Sequence, residues 1–298
     1  MLKGISSNNA SFVQNLERIQ DRISRTNQQI TSGVRVSQPS DDPGAVEPIL
    51  RVQEELDRIN QVTQNLNTAK TFASSADGAL QTADNVLNQL TSIAAQGANS
   101  TQTADTRAML GQQVQQLEQQ LVSIANTTVQ GVYVFGGDNP TTQPYSFDGV
   151  NPPVAAVPNP TNTAVIRDVG GNSIVPAQTA QQAFDSPAGS VFQAVDALRV
   201  ALQTNDQAGV LAAAGSLKTA SDQLNLSAQT IGANENWITN ALNEASSHVT
   251  SLTAQLSSLR DTDVAAAASQ LTLDNTAYSA AIASQATLPT KSLFSYLG

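Results

Sequence analysis

The sequence predicts a mainly α fold: an elongated helical coiled-coil and bundle rod formed by the N- and C-terminal halves of the chain, with a small β-rich domain inserted between them. Three observations predict it. Proline is confined: eight of the twelve prolines lie between Pro140 and Pro187, and none lies between Ile49 and Asn139 or between Ala188 and Leu288. A proline inside a helix costs roughly 3 kcal/mol, so the proline-free stretches admit long helices. Within them, apolar residues recur at alternating steps of three and four, which keeps one stripe turned toward a partner helix. Aromatic residues make up only 4% of the chain, too few for an ordinary globular core of this length, whereas Leu, Ile and Ala can fill helical seams.

The elements follow in order. The first helix carries Phe12, Leu16, Ile19, Ile23, Thr26 and Ile30, and Gly33 is available to end it as a left-handed cap. Pro39-Ser40-Asp41-Asp42-Pro43 is a rigid turn in which Ser40, Asp41 or Asp42 can cap the next helix. That second helix carries Ile59, Val62, Leu66, Ala69, Ala73, Ala76, Leu80, Ala83, Leu87, Leu90 and Ala94 without a slip, and Gly97-Ala98-Asn99-Ser100 ends it. A third carries Leu110, Val114, Leu117, Leu121 and Ile124, with Asp105 at the positive end of its dipole. Residues 131–137 read as a short strand leaving the helical body. The Pro-, Gly-, Val- and Asn-rich block that follows reads as short strands and turns. A fourth helix carries Val191, Val195, Leu198 and Leu202. The fifth runs from about Ala208 to Leu259 through Leu217, Leu224, Ile231, Ile238, Leu242, Ala245, Val249, Leu252 and Leu256. The sixth carries Val264, Ala268, Leu271, Asn275, Tyr278 and Ile282.

Helices of the first half are expected to pair with helices of the second, which brings the two termini together. The expected domains are 1–45 with 260–298 as a terminal coiled coil, 46–137 with 186–259 as a helical bundle, and 138–185 as the inserted outer domain. The first helix offers few large apolar groups, too little area to offset the ordering of its backbone alone. Both chain ends are therefore expected to be disordered in the free subunit and to fold on assembly. Phe12, Leu16, Ile19 and Ile23 near the start, and Leu271, Tyr278 and Ile282 near the end, are the candidate assembly contacts.

Charge and composition exclude several functions. A formal charge of -10 and a pI near 4.4 give no positive field to attract phosphates, so nucleic acid is not an expected partner. No run of 18 apolar residues occurs, so no membrane-spanning helix is expected. The N-terminus lacks the apolar region and cleavage site of a secretory signal peptide. There is no cysteine, hence no disulfide. Residues 1–48 hold five basic and five acidic side chains, so the net charge lies elsewhere and a neutral end can pack in many copies without self-repulsion.

No catalytic, cofactor or metal site emerges. His248 is the only histidine, lies mid-helix and has no HExxH partner, so it reads as a helix-surface residue. No GxSxG elbow occurs. Asp41 and Asp42 read as caps and turn acceptors rather than as an acid pair, with Arg35 beside them as a bridging cation. Arg18, Arg22 and Arg25 share a helix face, which is either solvated or a contact between subunits. Trp237 is expected to pack against a neighbouring helix.

Ser32-Gly33-Val34-Arg35-Val36 followed by Pro39-Ser40-Asp41-Asp42-Pro43-Gly44-Ala45 resembles the flagellin superfamily, in the SGxRxxxPSDDP form of its hook-associated junction branch. Filament members usually carry other residues at the places of Pro39 and Pro43. Asp77-Gly78-Ala79-Leu80, residues 95–100 and 131–137, and the C-terminal stretch from Leu259 through Asp261 and Asp263 to Ser292-Leu293-Phe294-Ser295-Tyr296-Leu297 agree with it. The resemblance covers roughly 1–137 and 186–298. It implies a structural component of the bacterial flagellum, an adaptor at the hook-filament junction that is built by helix packing and has no enzymatic activity. Terminal helices would line a tube and the insert would face solvent. It further implies an extracellular location reached through the flagellar type III export apparatus without a cleaved signal peptide. The implied partners are further copies of the chain, the first hook-associated protein, flagellin or the filament cap, and an export chaperone. A filament flagellin, or a surface adhesin acting through the insert, are the alternatives. The charged patch that host innate receptors bind on the long helix of many filament members is missing from residues 87–96.

Overall fold

The computed structural model describes residues 2–147, 152, 154–155, 165–186 and 189–286. The described residues are mainly α with short strands, as the proline distribution and the apolar spacing lead one to expect. The helices are α1 (Leu2–Ser32), α2 (Pro43–Gly97), α3 (Ala104–Ala125), α4 (Ala180–Phe184), α5 (Val191–Gln203), α6 (Gln207–Arg260) and α7 (Val264–Ala286). The strands, each of two residues, are β1 (Thr128–Val129), β2 (Val132–Tyr133), β3 (Tyr145–Ser146), β4 (Val154–Ala155), β5 (Ile166–Arg167), β6 (Ser173–Ile174), β7 (Asp185–Ser186) and β8 (Gly189–Ser190). They pair only as four antiparallel two-stranded ladders in chain order.

Helix ends follow local chemistry. Pro43 opens α2, where a missing N–H is harmless. Thr103 caps α3 by accepting the Thr106 N–H, and Asp105 lies in the first turn. Gly33 ends α1 at φ +71°, a left-handed conformation that costs glycine nothing, and donates its N–H to the Gln29 carbonyl. The β1–β2 turn places Gln130 and Gly131 at positive φ, as a tight hairpin requires. Thr179 and Gln182 form a reciprocal capping box on the short α4.

The chain divides into two compact units, Met1–Asp57 with Val249–Gly298 and Arg58–His248. In the larger unit the α2 stripe from Leu66 to Ala94 is buried with Leu110, Val114 and Leu121 of α3, Val195, Leu198 and Leu202 of α5, and Leu217, Leu224, Ile231 and Ile238 of α6. Alanine at 69, 73, 76 and 83 lets the helices approach closely. Gly97 goes further: a Cβ there would meet Leu202 Cδ2 at 2.4 Å. Polar links fix the register, with Ser74 Oγ donating to Glu235 Oε1 at 2.6 Å and Ser221 Oγ to Asp84 Oδ1 at 2.7 Å.

The hairpin segments are held to the helices by one aromatic cluster. Phe135, Tyr145, Phe184 and Phe192 are all fully buried, with ring centroids 4.5 to 6.3 Å apart. The Tyr145 hydroxyl donates to Asp185 Oδ2 at 2.6 Å, and burial pushes its pKa upward, so it stays a donor. A third of the chain's twelve aromatic residues sit in this cluster, which is why so few suffice. Residues 131–137 do leave α3 as β-structure, but as the second arm of the β1–β2 hairpin followed by the buried Val134 and Phe135.

One expectation fails here. Trp237 is 45% exposed rather than packed against a helix. The α6 stripe runs through Ile231, Ile238, Ala241 and Ala245, and position 237 lies about 100° around the helix from Ile238. His248 is a half-exposed helix-surface residue near Glu244. Among the described residues no helix is long and apolar enough to cross a membrane, and no group of three or more potential ligands could hold a metal ion.

Phe184→Ala should destabilise the larger unit by about 3–5 kcal/mol, since it opens a cavity beneath three other rings. Urea unfolding should show this as a lowered midpoint with lost near-ultraviolet circular dichroism. A change under about 1 kcal/mol would mean that the cluster does not anchor the hairpins.

Candidate assembly site

The smaller unit brings the two ends of the chain together. Helices α1 and α7 pack on one another. Along α1 the inward positions are Phe12, Leu16, Ile19, Ile23, Thr26 and Ile30, the expected stripe; Thr26 is buried and the other five are half-buried. Along α7 the inward positions are Ala267, Leu271, Asp274, Tyr278 and Ala281. This corrects the series read from the sequence. Leu271 and Tyr278 belong to the seam, but Val264, Ala268, Asn275 and Ile282 face outward. The reason is electrostatic. Asp274 is buried and accepts two bonds at Oδ1, from Arg22 Nε at 3.2 Å and Nη2 at 3.0 Å, so the helix turns its carboxylate inward rather than the neighbouring Asn275. The Arg22 hydrogen bond holds the Asp274 carboxyl below its usual range.

The three arginines of α1 therefore do not act as one face. Arg22 crosses to α7, Arg25 lines a groove of about 260 Å³ beside Gln29, Gln38 and Asp41, and Arg18 is exposed. On the outer surface of the pair, Val13, Val264, Leu273 and Ile282 are each 46 to 64% exposed.

Below the pair, the motif loop is stitched to the α6–α7 turn. Arg35 N–H donates to the Arg260 carbonyl at 2.7 Å, Val36 N–H to the same oxygen at 3.2 Å, and Thr262 N–H to the Gly33 carbonyl at 2.9 Å, with Val34 bridged antiparallel to Asp261. Arg35 ties three segments. Its Nη1 donates to Asp42 Oδ2 at 2.9 Å and its Nη2 to the Leu259 carbonyl at 2.7 Å. Asp42 Oδ1 caps α2 through the Ala45 N–H. Asp41 Oδ2 accepts from the Ser37 and Gln38 N–H groups and the Ser37 hydroxyl, all at about 3 Å. Both aspartates thus cap and brace the turn, and Arg35 is the bridging cation. Under the loop Val36, Ala45, Ile49 and Leu256 form a small apolar cluster. The Pro39 and Pro43 frame keeps the aspartates on one short turn.

With this geometry in place, the likenesses to known proteins are specific. Residues 5–139 match the bacterial flagellin N-terminal helical region. The B-type flagellin of Pseudomonas aeruginosa is 29% identical over 118 residues, 40% of this chain and 24% of that protein. A flagellin of Clostridium tyrobutyricum is 26% identical over 124 residues, 42% and 32% respectively. The matches span about a quarter to a third of the length of these relatives. Over this N-terminal helical region the chain is similar to bacterial flagellins.

Solved structures extend the likeness in fold to both halves. A putative flagellar hook-associated protein from Vibrio parahaemolyticus superposes with a TM-score of 0.67 at 22% identity, covering 74% of this chain and all of that one. Xanthomonas campestris FlgL gives 0.61 at 15%, covering 69% and 99%. The flagellar hook-associated protein-3 of Legionella pneumophila gives 0.61 at 14%, covering 71% and 98%. The fold is that of the hook-associated proteins. The C-terminal residues 292–297 that entered the resemblance lie outside the described residues.

Two predictions follow from the stitch. Arg35→Gln keeps a polar side chain but loses the charge that ties Asp42 to the Leu259 carbonyl. Amides of Arg35, Val36 and Thr262 should then exchange about tenfold faster or more, with α3 unaffected; unchanged exchange would contradict the clamp. Asp41, Asp42, Asp261 and Asp274 all have carboxyls held below the ordinary 3.8, the first by the Gln38 N–H, the second by Arg35, the third by Ser257 and the fourth by Arg22. Their contribution is present above 3.8 and lost as pH falls through the lowered values. Acid should therefore unfold the smaller unit earlier in wild type than in a variant with all four as asparagine, measured relative to each protein's own stability at pH 6.

Proposed function

We propose that this chain is a structural component of the bacterial flagellum, the adaptor at the hook-filament junction, assembled by helix packing with no bond chemistry. The observation that carries this reading is the α1–α7 pair, a seam of half-buried side chains with apolar groups left on its outer surface, in a fold shared with hook-associated proteins. Two helices can cover only one stripe of each other, and the remainder is supplied by further copies. Phe12, Leu16, Ile19, Ile23, Leu271 and Tyr278 build the seam that assembly completes, and Ile282 meets a neighbour. The motif loop with its Arg35 clamp holds the two ends in register while copies pack.

In this reading the terminal coiled coil of 1–45 with 260–298 forms the inner wall of a tube. The partners are the first hook-associated protein on one side and flagellin or the cap on the other, with an export chaperone holding the C-terminal helix beforehand. The protein reaches the cell exterior through the flagellar type III apparatus.

Deletion of the gene should leave hooks, abolish filaments and release flagellin into the medium, scored by electron microscopy and immunoblotting. Filaments of normal length in the deletion strain would refute the adaptor role. Immunogold labelling should mark one point per flagellum; labelling along the filament would instead identify a filament subunit.

A further inference from the structure

The α3–α5 contact of the larger unit contains a charged cluster that the proposed assembly does not use. Glu118 of α3 is fully buried, and neither of its carboxyl oxygens has a hydrogen-bond partner. Its nearest cation, Arg199 of α5, keeps Nε 3.8 Å away. Arg199 also binds along its own helix: it holds Asp196 through Nε at 3.0 Å and through Nη2, and its Nη1 donates to Gln203 Oε1 at 3.2 Å. Two acids thus share one guanidinium, and the geometry gives that guanidinium to Asp196. An ionised Glu118 would be a buried charge facing a like charge, with no hydrogen bond to offset the loss of water.

Other charged groups of the larger unit are engaged elsewhere. Arg107 of α3 binds the carbonyls of Gly97 and Asn99, Asp84 of α2 accepts from Ser221 of α6, and Asp185 accepts from Tyr145. The ions that act on Glu118 are Asp196 and Arg199, both on α5.

We propose that Glu118 is a protonation-controlled latch on the α3–α5 seam, closed while its carboxyl is neutral and released when it ionises. Burial, reinforced by Asp196 and only partly opposed by Arg199, pushes the Glu118 pKa up to about 7. The sign follows from proton binding. Between the unfolded value near 4.5 and the folded value the native chain holds a proton that the unfolded chain has released, so the latch's stabilisation is complete below 4.5 and is lost as pH rises through about 7. The larger unit therefore carries a pH response opposite to that of the aspartates in the smaller one. It loosens toward alkali, at the seam that holds α5 and, through Phe192, the aromatic cluster.

The test is thermal unfolding of the full chain from pH 5 to pH 9, wild type against Glu118→Gln, which keeps the shape and cannot ionise. The two should differ little at pH 5. The variant should gain stability over the wild type as pH rises to about 7, where its folding equilibrium is favoured by about a hundredfold, and the difference should then stay level to pH 9. A second measurement does not depend on any variant's stability. The 13C carboxyl resonance of Glu118, assigned by its absence from Glu118→Gln, should titrate near neutrality. In Asp196→Asn, which removes the repelling charge and the carboxylate that competes for Arg199, that midpoint should move lower by about one unit or more. A carboxyl that completes its titration below pH 5, or a melting difference constant from pH 5 to pH 9, would overturn the latch.

Discussion

A pair of α-helices can bury only one stripe of each partner, and the smaller unit is built on that constraint. Along α1 only Thr26 of the stripe reaches full burial, while Phe12, Leu16, Ile19, Ile23 and Ile30 stop halfway. The larger unit has far less of this shortfall, because α2, α3, α5 and α6 surround a common apolar centre in which Leu66, Leu87, Leu90, Leu198 and Ile231 are fully covered. The same residue types and the same spacing thus give a finished core in one unit and an unfinished seam in the other. Hydrophobic burial scales with area removed from water, so the second depends on what else comes to cover it.

What fixes the ends against each other is polar. A coiled-coil stripe of Ala, Leu and Ile tolerates sliding, whereas an ion pair at one position does not. Arg22 and Asp274 set the register of α1 on α7, and Arg35 binds the motif loop to both the start of α2 and the end of α6. The interactions at Arg35 are exposed, so their worth lies less in stability than in geometry. Glu118 and Arg199 place a comparable polar group in the α3–α5 seam, but there the pairing is incomplete.

Much of this was legible from spacing. Every residue of the α2 series from Ile59 to Ala94 is buried or half-buried, and Gly97 and Gly33 end helices where expected. The departures share one cause: the three-four rule counts apolar residues and leaves charged ones out. Asp274 lies three residues after Leu271 and four before Tyr278, on the stripe itself, where the spacing alone fits Asn275 equally well. Glu118 lies four after Val114 and three before Leu121, and Arg199 four after Val195 and three before Leu202. A charged residue that keeps the three-four alternation is the available sign of a buried polar lock. Trp237 departs for a related reason, since its size argues for burial at a position that the stripe excludes. The pairing of short strands in the insert had no comparable signal, because two-residue ladders carry no period.

The proposed assembly requires that α1 and α7 be an incomplete seam that becomes whole only among copies of the chain. Far-ultraviolet circular dichroism of the free subunit and of the assembled form, at equal chain concentration, tests this most directly. Less helix is expected in the free chain, by an amount matching residues 2–32 and 264–286. Equal helicity in both states would contradict it.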